Sequence, residues 1–186
     1  MLIVGIDPSL TRTSLAIGST CENPKLHSIE VRNFPGSIAN RFLRYQSIVN
    51  RVESHIRGLQ SPVIFLEGYG FASQSAVDMA EFGSVLRVML LAAVQDGGKL
   101  IEVPPKSLKS FTAENGNADK ERMARAARSR WGVTFEYHDE CDAYCMWRFG
   151  RAYCGIDTEL SSTQLQAIEN VKNPVKRVKK RKKKAG

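Results

Sequence analysis

The 186-residue chain has no apolar run long enough to cross a bilayer; its longest, residues 85–94, is interrupted by Arg87. Nor does an apolar leader segment stand at the amino terminus, because Asp7 falls where one would have to run. Together these absences predict a protein without a membrane partner, cytoplasmic or nucleoid-associated. Cysteine is scarce: Cys21, Cys141, Cys145 and Cys154 fit reduced thiols in a cytosolic protein. His138, Cys141 and Cys145 carry zinc-type donors, but their spacing on one helix with no second pair is a poor zinc signature. No internal repeat is present. From Lys172 to Lys184 the chain has nine Lys and Arg and no acid. Taking those nine from 27 basic residues leaves 18 against 19 acids, so the net charge of +8 belongs to the tail. The body has no excess positive charge, and any surface on it for a polyanionic partner must come from local clustering.

What the chain does have is four carboxylates at the edges of elements. Residues 2–6 form a short apolar run ending on Asp7, with Pro8 and Ser9 to stop a strand. Residues 63–66 form a second run, ending on Glu67 beside glycines. Asp139 and Asp142, three apart at the start of an apolar helical stretch, project from one face. Solvation or helix capping is the ordinary fate of such residues. A charge closing a buried strand, however, is costly without a partner, which makes Asp7 and Glu67 the harder pair to dismiss. Three segments that each deliver an acid to an element's end meet the needs of a magnesium or manganese site, where shared carboxylates bridge two ions about 3.5–4 Å apart.

The stretches VGIDPSL, VIFLEGYG and HDECDA carry a family resemblance. With VPPKSLKSFTAENGNADKERM between them, they resemble, in order and spacing, the RuvC-type Holliday junction resolvases of the ribonuclease-H-like superfamily, over residues 2–154. The resemblance implies an α/β fold, a ribonuclease-H-like mixed five-stranded sheet flanked by helices. It further implies a homodimer that nicks opposed strands of a four-way DNA junction, leaving 5′-phosphate and 3′-hydroxyl ends. In this reading Asp7, Glu67, Asp139 and Asp142 are catalytic and hold two Mg²⁺ ions, for which Mn²⁺ can substitute. Lys109 and Lys120 supply positive charge near the scissile phosphate, and Lys106 joins them on the DNA-binding side. The family places an aromatic residue in the loop after the central acid; Tyr69 and Phe71 are the candidates here, and the sequence does not choose between them. Two rings between glycines suit stacking on unpaired bases.

In chain order, residues 2–6, 13–18 and 25–32 read as an opening meander of strands. Ser37 caps a helix whose apolar stripe is Ile38, Phe42, Tyr45, Val49, Val52 and Ile56, with Arg41, Arg44, Arg51 and Arg57 on a solvated face. Residues 62–67 form a fourth strand. Residues 76–95 form a helix that is apolar nearly all round beyond Val85, so it either lies deep in the core or forms a homodimer seam. A fifth strand spans 100–103, and Lys106 and Lys109 sit on a short helical turn. Lys120 opens the next helix, where a cation opposes the macrodipole. The last core helix spans 139–153, and a weak helix lies near 165–171. Residues 1–155 are therefore read as the nuclease domain. Residues 156–186 are read as a polar extension whose tail, with Lys179, Lys180 and Arg181, binds DNA without selectivity.

Three other readings remain open at this point. One is a broader branched-DNA or RNA–DNA hybrid nuclease of the same fold. Another is an actin- or sugar-kinase-type ATP-binding protein, because GIDPSLTRTSLAIG also resembles the first phosphate loop of that group. A third is a DNA-binding module without catalysis, against which the presence of all four acids speaks.

Overall fold

The computed structural model describes residues 1–32, 36–68 and 76–174. Tyr69, Phe71, Lys179, Lys180 and Arg181 lie outside the described residues. The elements run β1 (Leu2–Asp7), β2 (Arg12–Ser19), β3 (Lys25–Glu30), α1 (Ile38–Ile56), β4 (Val63–Glu67), α2 (Ala76–Ala93), β5 (Lys99–Val103), α3 (Pro105–Ala113), α4 (Lys120–Trp131), α5 (His138–Tyr153) and α6 (Ser162–Lys172). No described helix is long and apolar enough to cross a membrane.

The five strands form one mixed sheet in the order β3-β2-β1-β4-β5. The first three are an antiparallel meander, as the short linkers between them require; β4 and β5 then add parallel to β1, each after a helical crossover. Alternation along the central strands sorts their side chains onto two faces. Ile3, Val63 and Phe65 point into one apolar layer, beneath α5, while Val4, Ile6, Ile64 and Leu66 point into the other, beneath α1 and α2.

Helix α5 lies unusually close to the sheet, and two glycines permit it. A Cβ on Gly5 would stand 2.4 Å from the Ala143 carbonyl oxygen and 2.5 Å from the Trp147 nitrogen. A Cβ on Gly150 would stand 2.6 Å from the Phe65 ring. The buried face of α5 runs through Ala143, Met146, Trp147 and Gly150, so Asp139 and Asp142 continue that same face toward its amino end.

Several elements differ from their sequence reading. Lys106 and Lys109 stand on a nine-residue helix, α3, rather than a short turn; Pro105 opens it, where a missing N–H is harmless. The α1 stripe begins at Tyr45, not Ile38: Ile38 and Phe42 are exposed, and the first turns of α1 are held to α2 by charge. Arg41 there faces Asp78 at 3.5 Å and Glu81 at 3.2 Å. The arginines of α1 are accordingly less solvated than expected. Arg44 donates to the Leu10 carbonyl and Arg51 to that of Glu30, leaving Arg57 with its helical neighbour Glu53. Helix α6 is longer than 165–171. Ser161 and Gln164 close a capping box at its start, and Ala167 and Ile168 bury against the same apolar layer as Phe111 of α3.

Candidate active site

Ile6 and Leu66 are paired on adjacent parallel strands, so Asp7 and Glu67, each one residue further on, emerge side by side at the carboxyl ends of β1 and β4. Both continue the alternation that puts Gly5 and Phe65 beneath α5, and they therefore face the first turn of that helix. Neighbouring strands lie about 4.8 Å apart, and the two carboxyls are close enough to share a proton, Asp7 donating and Glu67 accepting. Asp7 is buried, only 7% exposed.

The electrostatics follow from crowding acids in a dry place. Burial, then the charges of Glu67, Asp142 and Asp139, push the Asp7 carboxyl well above its ordinary value. Burial and the Asp142 charge push Glu67 from 4.5 to about 7, against the opposing pull of Lys109 and Lys120. Asp142 rises from 3.8 to about 6, chiefly through burial; Lys120, Lys109 and His138 pull the other way. Such a cluster lacks positive charge at its centre. The dipole of α5 supplies part of it, since Asp139 sits in the first turn and Asp142 just beyond it.

Lys120 supplies another part. Its Nζ lies 3.4 Å from the Asp139 carboxylate, which accounts for a lysine at the amino end of α4 where the helix dipole disfavours it. Lys109 of α3 acts on Glu67 and Asp142 at longer range, while Lys106 is exposed on the same helix. His138 stands exposed at the start of α5.

Every one of these carboxylates is a hard oxygen donor, which suits magnesium or manganese rather than zinc. Among the described residues no three His, Cys, Asp or Glu side chains are gathered into a finished ligand cage. Asp7 is instead turned onto Glu67, and Asp139 onto Lys120. The donor set still fits a divalent cation: buried acids that raise one another's pKa are relieved by a positive ion among them.

Residues that the sequence did not single out fix the frame around this cluster. Arg12, at the start of β2, lies 3.4 Å above the Tyr137 ring and is ion-paired with Glu30. It thereby ties the β2–β3 edge to the residue that caps α5. Ser14, paired with Asp7 across β1 and β2, reaches Ser28 at 3.2 Å, which donates to Glu140 at 2.9 Å. On the other flank Glu102 lies against Gly68 and is gripped by Arg87 at 2.7 Å. These partners stand far apart in the sequence, and no local pattern announces them.

Comparison with known proteins agrees with the geometry. The family profile "Crossover junction endodeoxyribonuclease RuvC" matches residues 3–144. Curated proteins of that name from Anaeromyxobacter sp. strain K and Anaeromyxobacter dehalogenans are 27% and 28% identical over 146 residues, 77% of this chain and 76% of theirs. One from Endomicrobium trichonymphae is 26% identical over 132 residues, 69% of this chain and 68% of its own. Among solved structures, Thermus thermophilus RuvC superposes with a TM-score of 0.61 at 22% identity, over 84% of this chain and 98% of that one. The same protein in complex with a Holliday junction substrate gives 0.58 at 23% identity, over 79% and 90%. At that identity the structures establish the shared fold, a ribonuclease-H-like mixed sheet flanked by helices.

Proposed function

This chain belongs to the RuvC family of crossover junction endodeoxyribonucleases, and from that premise we infer that its four clustered acids form one metal-dependent site for nicking four-way DNA junctions. Membership makes it a phosphodiester hydrolase that resolves Holliday junctions, and sets aside the ATP-binding and non-catalytic readings. The observation that carries the assignment of the site is the meeting of Asp7, which is buried, with the half-buried Glu67 and Asp142, from three separate elements, in one mutually repelling group.

Asp7, Glu67, Asp139 and Asp142 would hold the ions, two Mg²⁺ in the reading favoured here, with Mn²⁺ able to substitute. Bound there, a divalent ion supplies Lewis acidity toward the phosphoryl oxygens and an activated water. The chain's own groups do the rest. Asp7, buried at the strand end, fixes the floor of the site. Lys120, released from Asp139, and Lys109 offset the charge that gathers on the phosphoryl oxygens during in-line attack. Gly5 and Gly150 keep α5 at the height where Asp142 meets Glu67.

The working unit is a homodimer. Helix α2 presents Val77, Val88 and Leu91 outward, 69%, 71% and 55% exposed, while Phe82, Leu86 and Leu90 face the core. An apolar stripe of that kind on a helix already packed on its other side supports a two-fold seam, and a two-fold dimer offers two identical sites to a two-fold substrate. Tyr69 or Phe71 would enter the junction beside the cut, and Lys179, Lys180 and Arg181 would add affinity without selectivity. The substrate places the protein's work inside the cell, on DNA.

The test is nicking of a synthetic four-way junction with Mg²⁺, beside a fork, a flap, linear duplex and an RNA–DNA hybrid. Paired symmetric nicks in the junction, absent in linear duplex, are expected. Equal cutting of the fork, flap and hybrid would move the assignment to a broader nuclease of this fold.

A further inference from the structure

A groove of about 240 Å³ runs between α4 and the 133–138 segment that leads into α5. Its lining includes the rings of Phe135 and Tyr137 beside Ala124, Val133 and Cys141, together with the exposed Arg125, Arg128 and His138. Asp139 is the next residue. Ala124, also on the lining, stands four residues from Lys120 on α4, about 6 Å along the axis. Along a stacked strand nucleotides are spaced by about 3.4 Å, so the groove opens one or two nucleotides from a phosphate held at Lys120.

The charges on this groove are uncommitted. Among the described residues Arg125 and Arg128 face no carboxylate within ion-pair distance, whereas the acid on the wall, Glu136, is taken up by the Tyr137 hydroxyl. A larger cavity of about 550 Å³ at the far end of α5 shows the contrast. There Arg130 is paired with Glu114 at 2.8 Å and Arg148 with Asp157 at 3.1 Å, and neither seeks an anion. The Tyr137 ring is moreover held rigid by Arg12 at 3.4 Å, and Phe135 by the Tyr144 ring at 5.3 Å. Preset rings under free arginines are the elements of a stacking platform for a base on a charged strand. A groove of about 240 Å³ falls below the ~300–1,000 Å³ of sites for drug-sized ligands, which limits the occupant to one base.

We propose that this groove is a subsite for a single unpaired nucleobase of the cleaved strand, one or two nucleotides from the cut, stacked against Tyr137 and Phe135 with its flanking phosphate on Arg125 and Arg128. It rests on the junction-nicking assignment, and it makes the groove a determinant of which nucleotide is accepted beside the cut.

The test removes the base rather than the protein. Junctions are prepared with one abasic nucleotide at each position flanking the cut and nicked by the wild type, by Ala124→Phe, which fills the groove, and by the Arg125→Ala/Arg128→Ala variant. In the wild type one abasic position is expected to lower kcat/KM about 5- to 150-fold, the range of base–aromatic stacking. Ala124→Phe should show a similar loss on the intact junction and no further loss at that abasic position. The arginine variant, on an exposed surface, should likewise lose less on the abasic junction than on the intact one; it decides the matter if Ala124→Phe melts below the assay temperature. The groove is not a base subsite if the wild type tolerates every abasic position, or if variant and abasic losses multiply independently. Failure of the wild type to nick any intact junction with Mg²⁺ would instead overturn the assignment on which the inference rests.

Discussion

Replacing Glu67 by Gln should inactivate the enzyme and stabilise its metal-free fold. Glu67 is held at about 7 against an ordinary 4.5, by burial first and by Asp142 second. Because its folded value is raised, the fold binds the proton more tightly than the unfolded chain does. Stability from this group is therefore fully present below about pH 4.5 and is lost as pH rises through about 7. At about 1.4 kcal/mol for each unit of pKa, holding the bare carboxylate at pH 8 costs the fold about 3 kcal/mol. Glutamine carries no charge, yet its amide oxygen can still accept from Asp7. The neutral amide is a weaker acceptor than the carboxylate it replaces, which takes back part of this and brings the expected gain at pH 8 to about 2 kcal/mol. Urea unfolding in excess chelator reads this as an upward shift of the midpoint by about 1 M at pH 8, for a slope of about 2 kcal/mol per M. The shift should nearly vanish at pH 4.5. Millimolar Mg²⁺ should then raise the wild-type midpoint and leave that of Glu67→Gln almost unmoved. A variant no more stable than the wild type at pH 8, or equally shifted at both pH values, would refute the account of a charge-strained site.

Asp7→Asn is expected to abolish nicking while junction binding survives, which gel-shift and single-turnover assays on one preparation separate; wild-type turnover at millimolar Mg²⁺ would remove Asp7 from the site. Gly5→Ala should destabilise by about 2–3 kcal/mol, because a Cβ there meets the backbone of α5 at 2.4 Å and 2.5 Å. If it folds, it should lose turnover out of proportion to binding, since α5 carries Asp142. Val88→Asp should leave the monomer fold intact, since Val88 is 71% exposed, and should turn a dimer near 41 kDa (about twice the 20.7 kDa chain) into monomer by light scattering. A wild type that is monomeric while resolving junctions would dispose of the α2 seam. Deleting residues 172–186 should weaken linear-duplex binding and flatten its salt dependence, by about 0.9 in log–log slope for each phosphate the tail neutralises. Junction preference should persist, and its disappearance would give the tail another role.

The elements and the acids at their ends are legible in the chain alone. Apolar runs of strand length that stop on Asp7 and Glu67, and the placing of Asp139 and Asp142 three apart at the start of an apolar helical stretch, are patterns among near neighbours in the chain, and near neighbours are constrained before anything closes. The opening meander and a mixed five-stranded sheet flanked by helices follow from the same runs once the family resemblance is recognised. How close α5 comes to the sheet is settled only when the layers pack. Gly5 reads locally as a weak strand residue, and its purpose is visible only with the Ala143 carbonyl lying against it. The same holds for Arg12 on Tyr137, for Ser14 through Ser28 to Glu140, and for Lys120 on Asp139, where a lysine unfavourable to its own helix answers an acid on another. It holds also for α1, whose stripe begins late because Arg41 reaches across to α2. Periodicity reports which side of an element is apolar; it carries no information about which distant side chain will stand opposite, because that is fixed only when the sheet register brings the segments together.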